Sequence, residues 1–330
     1  MDDGRNGVSV RCMRLGFAVK VLGGGGLPSH DTRRWRSGPH LRVSLGRLSA
    51  IFEYMAANDL RMYRIASALA PYASHPELKQ FHRQVEECAL ELAAVGARAR
   101  ELGIRLSSHP GQYTVLNSEN VAVVDNAVAE LEVQAALLDG LGQGPEAVVV
   151  LHVGGAAGGR RAAADRFSAG FDRLSERAQA RLVLENDDRI YGLADVLLLS
   201  KRLGVPVVWD LLHHHCHDPE GIPAREALER SLDSWPAGVM PKIHFSSPRL
   251  DVGERRYTVG RRVERTPVLP DLRLHADLID PIAFEQFLRH TAAGFSFDVM
   301  LEAKAKDLAV LQLRAQLARR GLAPVEPTPA

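Results

Sequence analysis

The sequence predicts an α/β chain closed into a single (β/α)8 TIM barrel with long loops at its carboxyl-terminal face. Three observations predict it. Eight short strand-like runs alternate with amphipathic helical patterns or loops, the order that builds βαβ units and a parallel sheet. The last six runs each end in a histidine, glutamate or aspartate, so in a parallel barrel these side chains converge on one rim. A length of 330 residues fits one barrel of about 250 residues plus loops, although length alone fits two domains equally well.

The first run, Arg14 to Val19, precedes an insertion, Gly23 to Arg47. This holds four consecutive glycines and, from Arg33 to Arg47, five arginines without an acid. The glycines lack the spacing of a nucleotide-binding loop, and the arginines read as a solvated face or as a grip on phosphates. The second and third runs, Met62 to Ala66 and Ile104 to Ser108, bracket a helical pattern from Phe81 to Leu102. A further helical pattern, Val121 to Leu141, leads into the fourth run, Ala147 to His152. Leu182 to Asn186 is the fifth run, and the sixth, Val205 to Asp210, flows directly into Leu-Leu-His-His-His-Cys-His-Asp. After the seventh, Lys242 to Phe245, comes a second insertion, Ser247 to Leu274, in which seven arginines between Arg249 and Arg273 face four acids. Asp298 to Glu302 is the eighth run, and a helix is expected from about Asp307 to Leu322. Residues 13–322 therefore read as one barrel domain, with 1–12 a loose or disordered extension and 323–330 a flexible tail.

Apolar content of 46% and charged content of 25% are ordinary for a globular protein. No apolar run approaches the ~18 residues of a membrane span, and the polar Met-Asp-Asp-Gly start is no secretory signal. Cys12, Cys88 and Cys216 are odd in number and far apart, which predicts reduced thiols in a cytoplasmic protein. A net charge of +1 neither demands nor excludes nucleic acid, and the absence of Gly-x-Ser-x-Gly argues against a serine-hydrolase nucleophile elbow.

His109, His152, Glu185, Asp210, His213, His244, His275 and Glu302 form a mixed imidazole and carboxylate set without a thiolate partner, which suits zinc, manganese or iron better than calcium. Eight candidates exceed what one ion needs, so two or three divalent ions with bridging carboxylates are expected, Glu185 foremost. Lys242, two residues before His244 and on the same side, would repel cations unless tied to an acid, neutralised by burial or carbamylated. After the third run, Ser-Ser-His-Pro-Gly-Gln-Tyr-Thr places Gln112 and Tyr113 at the tip of a sharp turn, which reads either as a plain turn or as a wedge for a base stack. After the fourth, the glycines around Gly154 and two arginines read equally as a phosphate cradle or a flexible loop.

In order, the chain also carries Arg-Leu-Gly-Phe, Tyr-Arg-Ile-Ala-Ser, Ser-His-Pro from Ser74, Ser-His-Pro-Gly-Gln-Tyr from Ser108, and Leu-His-Val-Gly-Gly. It continues with Leu-Glu-Asn-Asp, Trp-Asp-Leu-Leu-His-His-His, Lys-Ile-His-Phe-Ser-Ser-Pro-Arg, His-Ala-Asp from His275 and Met-Leu-Glu-Ala-Lys-Ala-Lys-Asp. This ordered set resembles the ultraviolet damage endonuclease family of DNA repair nucleases over Arg14 to about Leu311. The resemblance implies a metal-dependent barrel, related in fold to endonuclease IV and xylose isomerase. Such an enzyme nicks duplex DNA 5′ to ultraviolet photoproducts and some other lesions and leaves a 3′-hydroxyl. It implies that His109, His152 and Glu185 hold one ion, that Glu185, Asp210, His244 and Glu302 hold a second, and that His213 and His275 complete a third near Lys242. Glu185, Lys242 and Glu302 are the implied catalytic residues. Gln112 and Tyr113 are the implied probes of a flipped dinucleotide, with Phe17 and Arg249 as further DNA contacts and His75 on either metal or DNA. Manganese is the implied metal, with zinc, cobalt or magnesium as alternatives, and damaged duplex DNA is the implied partner of a chain expected to be monomeric. The glycines after Val21 depart from the family pattern and put lesion preference in question. Rival readings are an abasic-site nuclease of the endonuclease IV type, a sugar isomerase, for which so many histidines are unsuited, and a damage binder without catalysis.

Overall fold

The computed structural model describes residues 13–260 and 262–322; the extension expected over 1–12 and the tail expected over 323–330 lie outside them. Ten strands follow in order among the described residues: β1 (Leu15–Ala18), β2 (Met62–Arg64), β3 (Arg105–Ser107), β4 (Val149–His152), β5 (Leu182–Glu185), β6 (Val207–Val208), β7 (Lys242–Phe245), β8 (Gly253–Val259), β9 (Arg262–Val268) and β10 (Asp298–Leu301). β3, β2, β1, β10 and β7 pair in parallel in that order, and β4, β5 and β6 form a second parallel set. Two isolated bridges join the sets, Ser108 to Val149 and Asp210 to His244. At the first, Ser108 N–H donates to Val148 C=O and Val150 N–H to Ser108 C=O, both at 2.9 Å; at the second, His244 N–H reaches Trp209 C=O at 2.9 Å. Eight parallel strands thus close into the predicted ring.

The two-residue period of a strand decides what each side chain meets. Outward residues such as Leu15, Phe17, Tyr63, Leu151 and Ile243 are fully buried beneath the surrounding helices. Each such side chain contributes roughly 1.5–3 kcal/mol by leaving water. The helix Leu41–Ala57 buries Leu45, Leu48, Phe52 and Met55 in the same core as the outward residues of β1 and β2. Inward residues stack in tiers. Met62, Ser107, Val150, Val183, Val208, Lys242 and Met300 form a buried floor, in which Lys242 is the one charged member. Two positions further along each strand stand Arg64, His109, His152, Glu185, Asp210, His244 and Glu302, the upper tier at the carboxyl-terminal rim. A Cβ on Gly16 would lie 2.7 Å from Met62 Cγ, so glycine is what lets β1 and the floor meet. Arg105, itself fully buried, closes the opposite end by pairing with Asp298 at 2.7 Å.

Several elements differ from their sequence expectations. The strands are shorter, because residues at their carboxyl ends leave the ladder to serve the rim. Asp210, for instance, caps the helix Leu211–Cys216 by accepting from His213 N–H at 2.9 Å. The pattern from Phe81 to Leu102 breaks at Cys88 into the helices Gln84–Glu87 and Ala89–Glu101. The first insertion ends early, since His40 caps the helix starting at Leu41. Three of its arginines are engaged within the protein, Arg33 on buried Asp31 at 2.6 Å, Arg42 on Glu91 at 2.7 Å and Arg47 on the His30 carbonyl. The second insertion contains the antiparallel hairpin β8–β9 rather than an irregular loop. Among the described residues Cys88 and Cys216 are free, and no helix is long and apolar enough to cross a membrane.

Candidate metal centre and rim

Glu185 lies at the middle of the upper tier, fully buried, with two histidines at each oxygen. His109 Nε2 is 3.0 Å and His152 Nε2 3.5 Å from Oε2; His244 Nδ1 is 2.9 Å and His213 Nδ1 3.5 Å from Oε1. Three groups of side chains have ligand atoms within 4.8 Å of one another and can hold an ion: His109, His152 and Glu185; Glu185, Asp210 and His213; Asp210, His244 and Glu302. Glu185 belongs to two groups and Asp210 to two. His275 lies beside them, with Nδ1 3.7 Å from Glu302 Oε2. His213 therefore groups with Glu185 and Asp210, where the sequence reading had paired it with His275.

The local sequence explains these placements. The Asp210 cap starts a helix whose first turn brings His213 back over the rim, and His213 Nδ1–H donates to Asn186 C=O at 2.9 Å. His214, one residue on, is instead buried against Trp209 and bonds Ile222 C=O at 2.9 Å, a structural role.

Electrostatics favour bound cations. Burial lowers the His109 pKa to about 4 despite its carboxylate neighbour, so the ring is neutral. With Nδ1–H facing Pro110 C=O at 3.1 Å, its Nε2 lone pair points at a Glu185 oxygen. A shared cation makes that arrangement favourable. Among the described residues, Asp210 Oδ2 and His152 Nδ1 are buried without a hydrogen-bond partner. The donor set thus fits divalent ions. Burial opposes ionisation of Glu185 and Glu302, but His244 and His152 around the first, and Arg64 and His244 around the second, hold both carboxylates well below their usual range. Burial likewise opposes protonation of His213, yet Asp210, Glu185 and Glu302 outweigh it and raise the ring to about 9. Lys242 Nζ has no hydrogen-bond partner among the described residues; burial, reinforced by Arg64 and Arg105, pushes it well below the normal amine range. Among the described residues no acid is tied to it, and burial works against its charge.

The remaining sequence candidates are dispersed. Gln112 stands on a loop between two cavities, one of about 530 Å³ reaching His109, His152 and His213, the other of about 810 Å³ lined by His75, Tyr113 and Glu130. Tyr113 is 83% exposed. His75 accordingly shares a cavity with Gln112 and Tyr113, outside the three groups able to hold an ion. Arg249 is at the foot of the hairpin, 3.6 Å from Asp251. Phe17 corrects the expectation of a DNA contact: it occupies an outward position of β1, fully buried, its ring centroid 5.2 Å from that of Tyr63.

Sequence reasoning missed Arg64, Lys304 and Lys306. Arg64 donates to His244 Nε2 at 3.0 Å and to Glu302. With Arg273, His275, Glu302 and the two lysines it lines a cavity of about 310 Å³ bordering the metal groups. The signal was present in parity: Arg64 stands two residues past Met62, and the lysines two and four past Glu302.

The family model described as UV-endonuclease UvdE matches residues 42–327. A UV DNA damage endonuclease of Bacillus mycoides (strain KBAB4) is 31% identical over 269 residues, covering 81% of this chain and 78% of that protein. One of Bacillus cereus (strain B4264) is 31% identical over 286 residues, 86% of this chain and 83% of its own length. Among solved structures, SacUVDE superposes with a TM-score of 0.78 at 29% identity, covering 94% of this chain and 99% of that one. A D-psicose 3-epimerase gives a TM-score of 0.53 at 14% identity, a likeness of fold alone.

Proposed function

Because the chain belongs to the UV-endonuclease UvdE family, we propose that it is a DNA repair endonuclease that nicks duplex DNA 5′ to ultraviolet photoproducts and related lesions, leaving a 3′-hydroxyl. The observation that carries the reading is Glu185, whose two oxygens each face two histidines at the centre of the rim. His109, His152 and Glu185 would hold one divalent ion, Glu185, Asp210 and His213 a second, and Asp210, His244 and Glu302, with His275 beside them, a third. Such ions, manganese foremost and zinc, cobalt or magnesium in its place, supply Lewis-acid charge neutralisation and activation of water when bound.

The chain's own groups do the rest. Neutral His109 offers a lone pair at physiological pH, and Asn186 C=O orients the His213 ring. Glu302 is held ionised by Arg64 and His244, so its carboxylate stays available to hold a cation and to orient the attacking water. Lys242 lies beneath them, where burial disfavours its charge and so weakens its repulsion of a cation. Gln112 and Tyr113 would fill the stack where a damaged dinucleotide has been turned out, a step that costs least where damage has already weakened stacking. Arg273, Lys304 and Lys306 would receive a neighbouring phosphate. We assign the activity to a monomer in the bacterial cytosol, and residues 13–322 to one domain.

The test is cleavage, with manganese, of duplexes carrying a photoproduct, an abasic site or no damage. Cutting of the photoproduct duplex 5′ to the lesion is expected. Cutting of the abasic duplex alone, or of none, overturns the proposal. Glu185→Gln is expected to lose at least ~10²-fold in turnover while still binding the duplex.

A further inference from the structure

The hairpin β8–β9 takes no part in the ring or in the three ion-holding groups, yet it is rooted beside them. Pro248 pairs with His275, Arg249 N–H donates to Leu274 C=O at 2.6 Å, and Ala276 N–H donates to Ser247 C=O at 2.9 Å. Its two strands therefore leave and re-enter the protein through one narrow neck at the metal rim. Each strand is seven residues long, a reach of about 23 Å.

Its charge is divided between two faces. Register pairs Arg256 with Arg265 and Glu254 with Pro267, and on that face Glu254 engages both arginines, at 3.3 and 3.5 Å. The opposite face carries Arg255, Tyr257, Arg262 and Glu264, all exposed. There Tyr257 OH accepts from Thr266 at 3.3 Å, and Arg255 and Arg262 have no ion pair among the described residues. Two unneutralised guanidinium groups flanking an aromatic ring match a phosphate backbone. Strand addition by another protein is disfavoured, since arginines and Pro267 blunt the exposed strands.

We propose that this hairpin is an arm that lies along duplex DNA flanking the incision site, with Arg255 and Arg262 on phosphates and Tyr257 against the sugar-phosphate edge. The proposal rests on the DNA-cleaving reading above. At 3.4 Å per base pair, an arm of about 23 Å covers roughly seven base pairs beyond the lesion. The arm thereby adds affinity for length of duplex, independent of the damage that the probing loop reads.

The experiment compares the wild type, Arg255→Ala/Arg262→Ala and Arg255→Lys/Arg262→Lys on photoproduct duplexes of about 30 and about 10 base pairs across a salt series. The alanine pair is expected to bind the long duplex roughly tenfold more weakly, with a log–log salt slope shallower by about 2, while the short duplex and its turnover are unchanged. The lysine pair is expected to restore most of the slope. An unchanged slope on the long duplex, equal losses on both lengths or failure of the lysine pair to rescue overturns the arm while leaving the endonuclease reading intact. Absence of any duplex binding by the wild type overturns both. Self-association of the wild type that the alanine pair abolishes makes the hairpin a subunit contact and overturns the proposal.

Discussion

Arg64 stands 3.0 Å from His244 Nε2 and also donates to Glu302, so a guanidinium caps the group formed by Asp210, His244 and Glu302. An ion entering that group meets an existing positive charge. Arg64→Ala is expected to lower the melting temperature of the metal-free protein, because it strips a buried carboxylate of a charged donor, a loss of about 1–3 kcal/mol. With manganese added, the variant is expected to regain more stability than the wild type does. Calorimetric scans with and without metal check this; equal gains refute the competition between Arg64 and a cation.

His213 links metal loading to pH. Its pKa of about 9, against an ordinary 6.5, stabilises the metal-free fold by about 3 kcal/mol, fully present below pH ~6.5 and lost as pH rises through ~9. Metal-free wild type is therefore expected to lose stability between those values, and His213→Gln to lose that part of the dependence. Coordination requires the neutral ring, so loading near pH 7.5 is expected to release about one proton per chain. Titration calorimetry in buffers of different ionisation enthalpy reads the number directly, and a value near zero excludes His213 as a ligand.

Lys242 is a buried, unpaired amine whose proton is lost easily. The free amine can add carbon dioxide, forming the N–C bond and releasing one proton, and the resulting carbamate would place an anion in the floor. Native mass spectrometry in bicarbonate is expected to show a gain of one CO2 that Lys242→Met lacks. A plain lysine mass under those conditions leaves the neutral amine as the working species. Lys242→Met is expected to fold, since its volume is close and the floor around it is apolar.

Tyr113 is 83% exposed, and nothing in the fold depends on its ring. Tyr113→Ala is expected to leave stability unchanged and to weaken binding to damaged duplex by about 1–3 kcal/mol, the worth of one stacked aromatic. Binding to undamaged duplex is expected to change far less. Parallel affinity measurements on the two duplexes decide it, and equal losses assign the residue to general DNA affinity.

Much of the site was legible because strand parity is legible. Val150 to His152, Val183 to Glu185 and Met300 to Glu302 each step from an apolar inward residue to a ligand on the same side, a signature that survives without coordinates. Phe17 was misread on the same grounds that should have placed it, since it shares parity with Leu15 and faces the helices. Arg64 went unnoticed because an arginine at a strand end is ordinarily a surface residue, and its partners are 180 and 238 residues away in sequence. The hairpin was hidden for a different reason. Neither of its faces is apolar, so the alternation that marks a strand was carried by arginines, a tyrosine and threonines.

The ring is fastened at two seams, Ser108 to Val149 and Asp210 to His244, and each seam is next to or made of ion-holding residues. Elsewhere the strands are joined by longer ladders, so these are the places where the cylinder can part. An ion held by His109 and His152 would lie across the first seam, and one held by Asp210 and His244 across the second. The groups proposed to hold metal would therefore also act as clasps, and loss of metal would loosen the cylinder at these two seams.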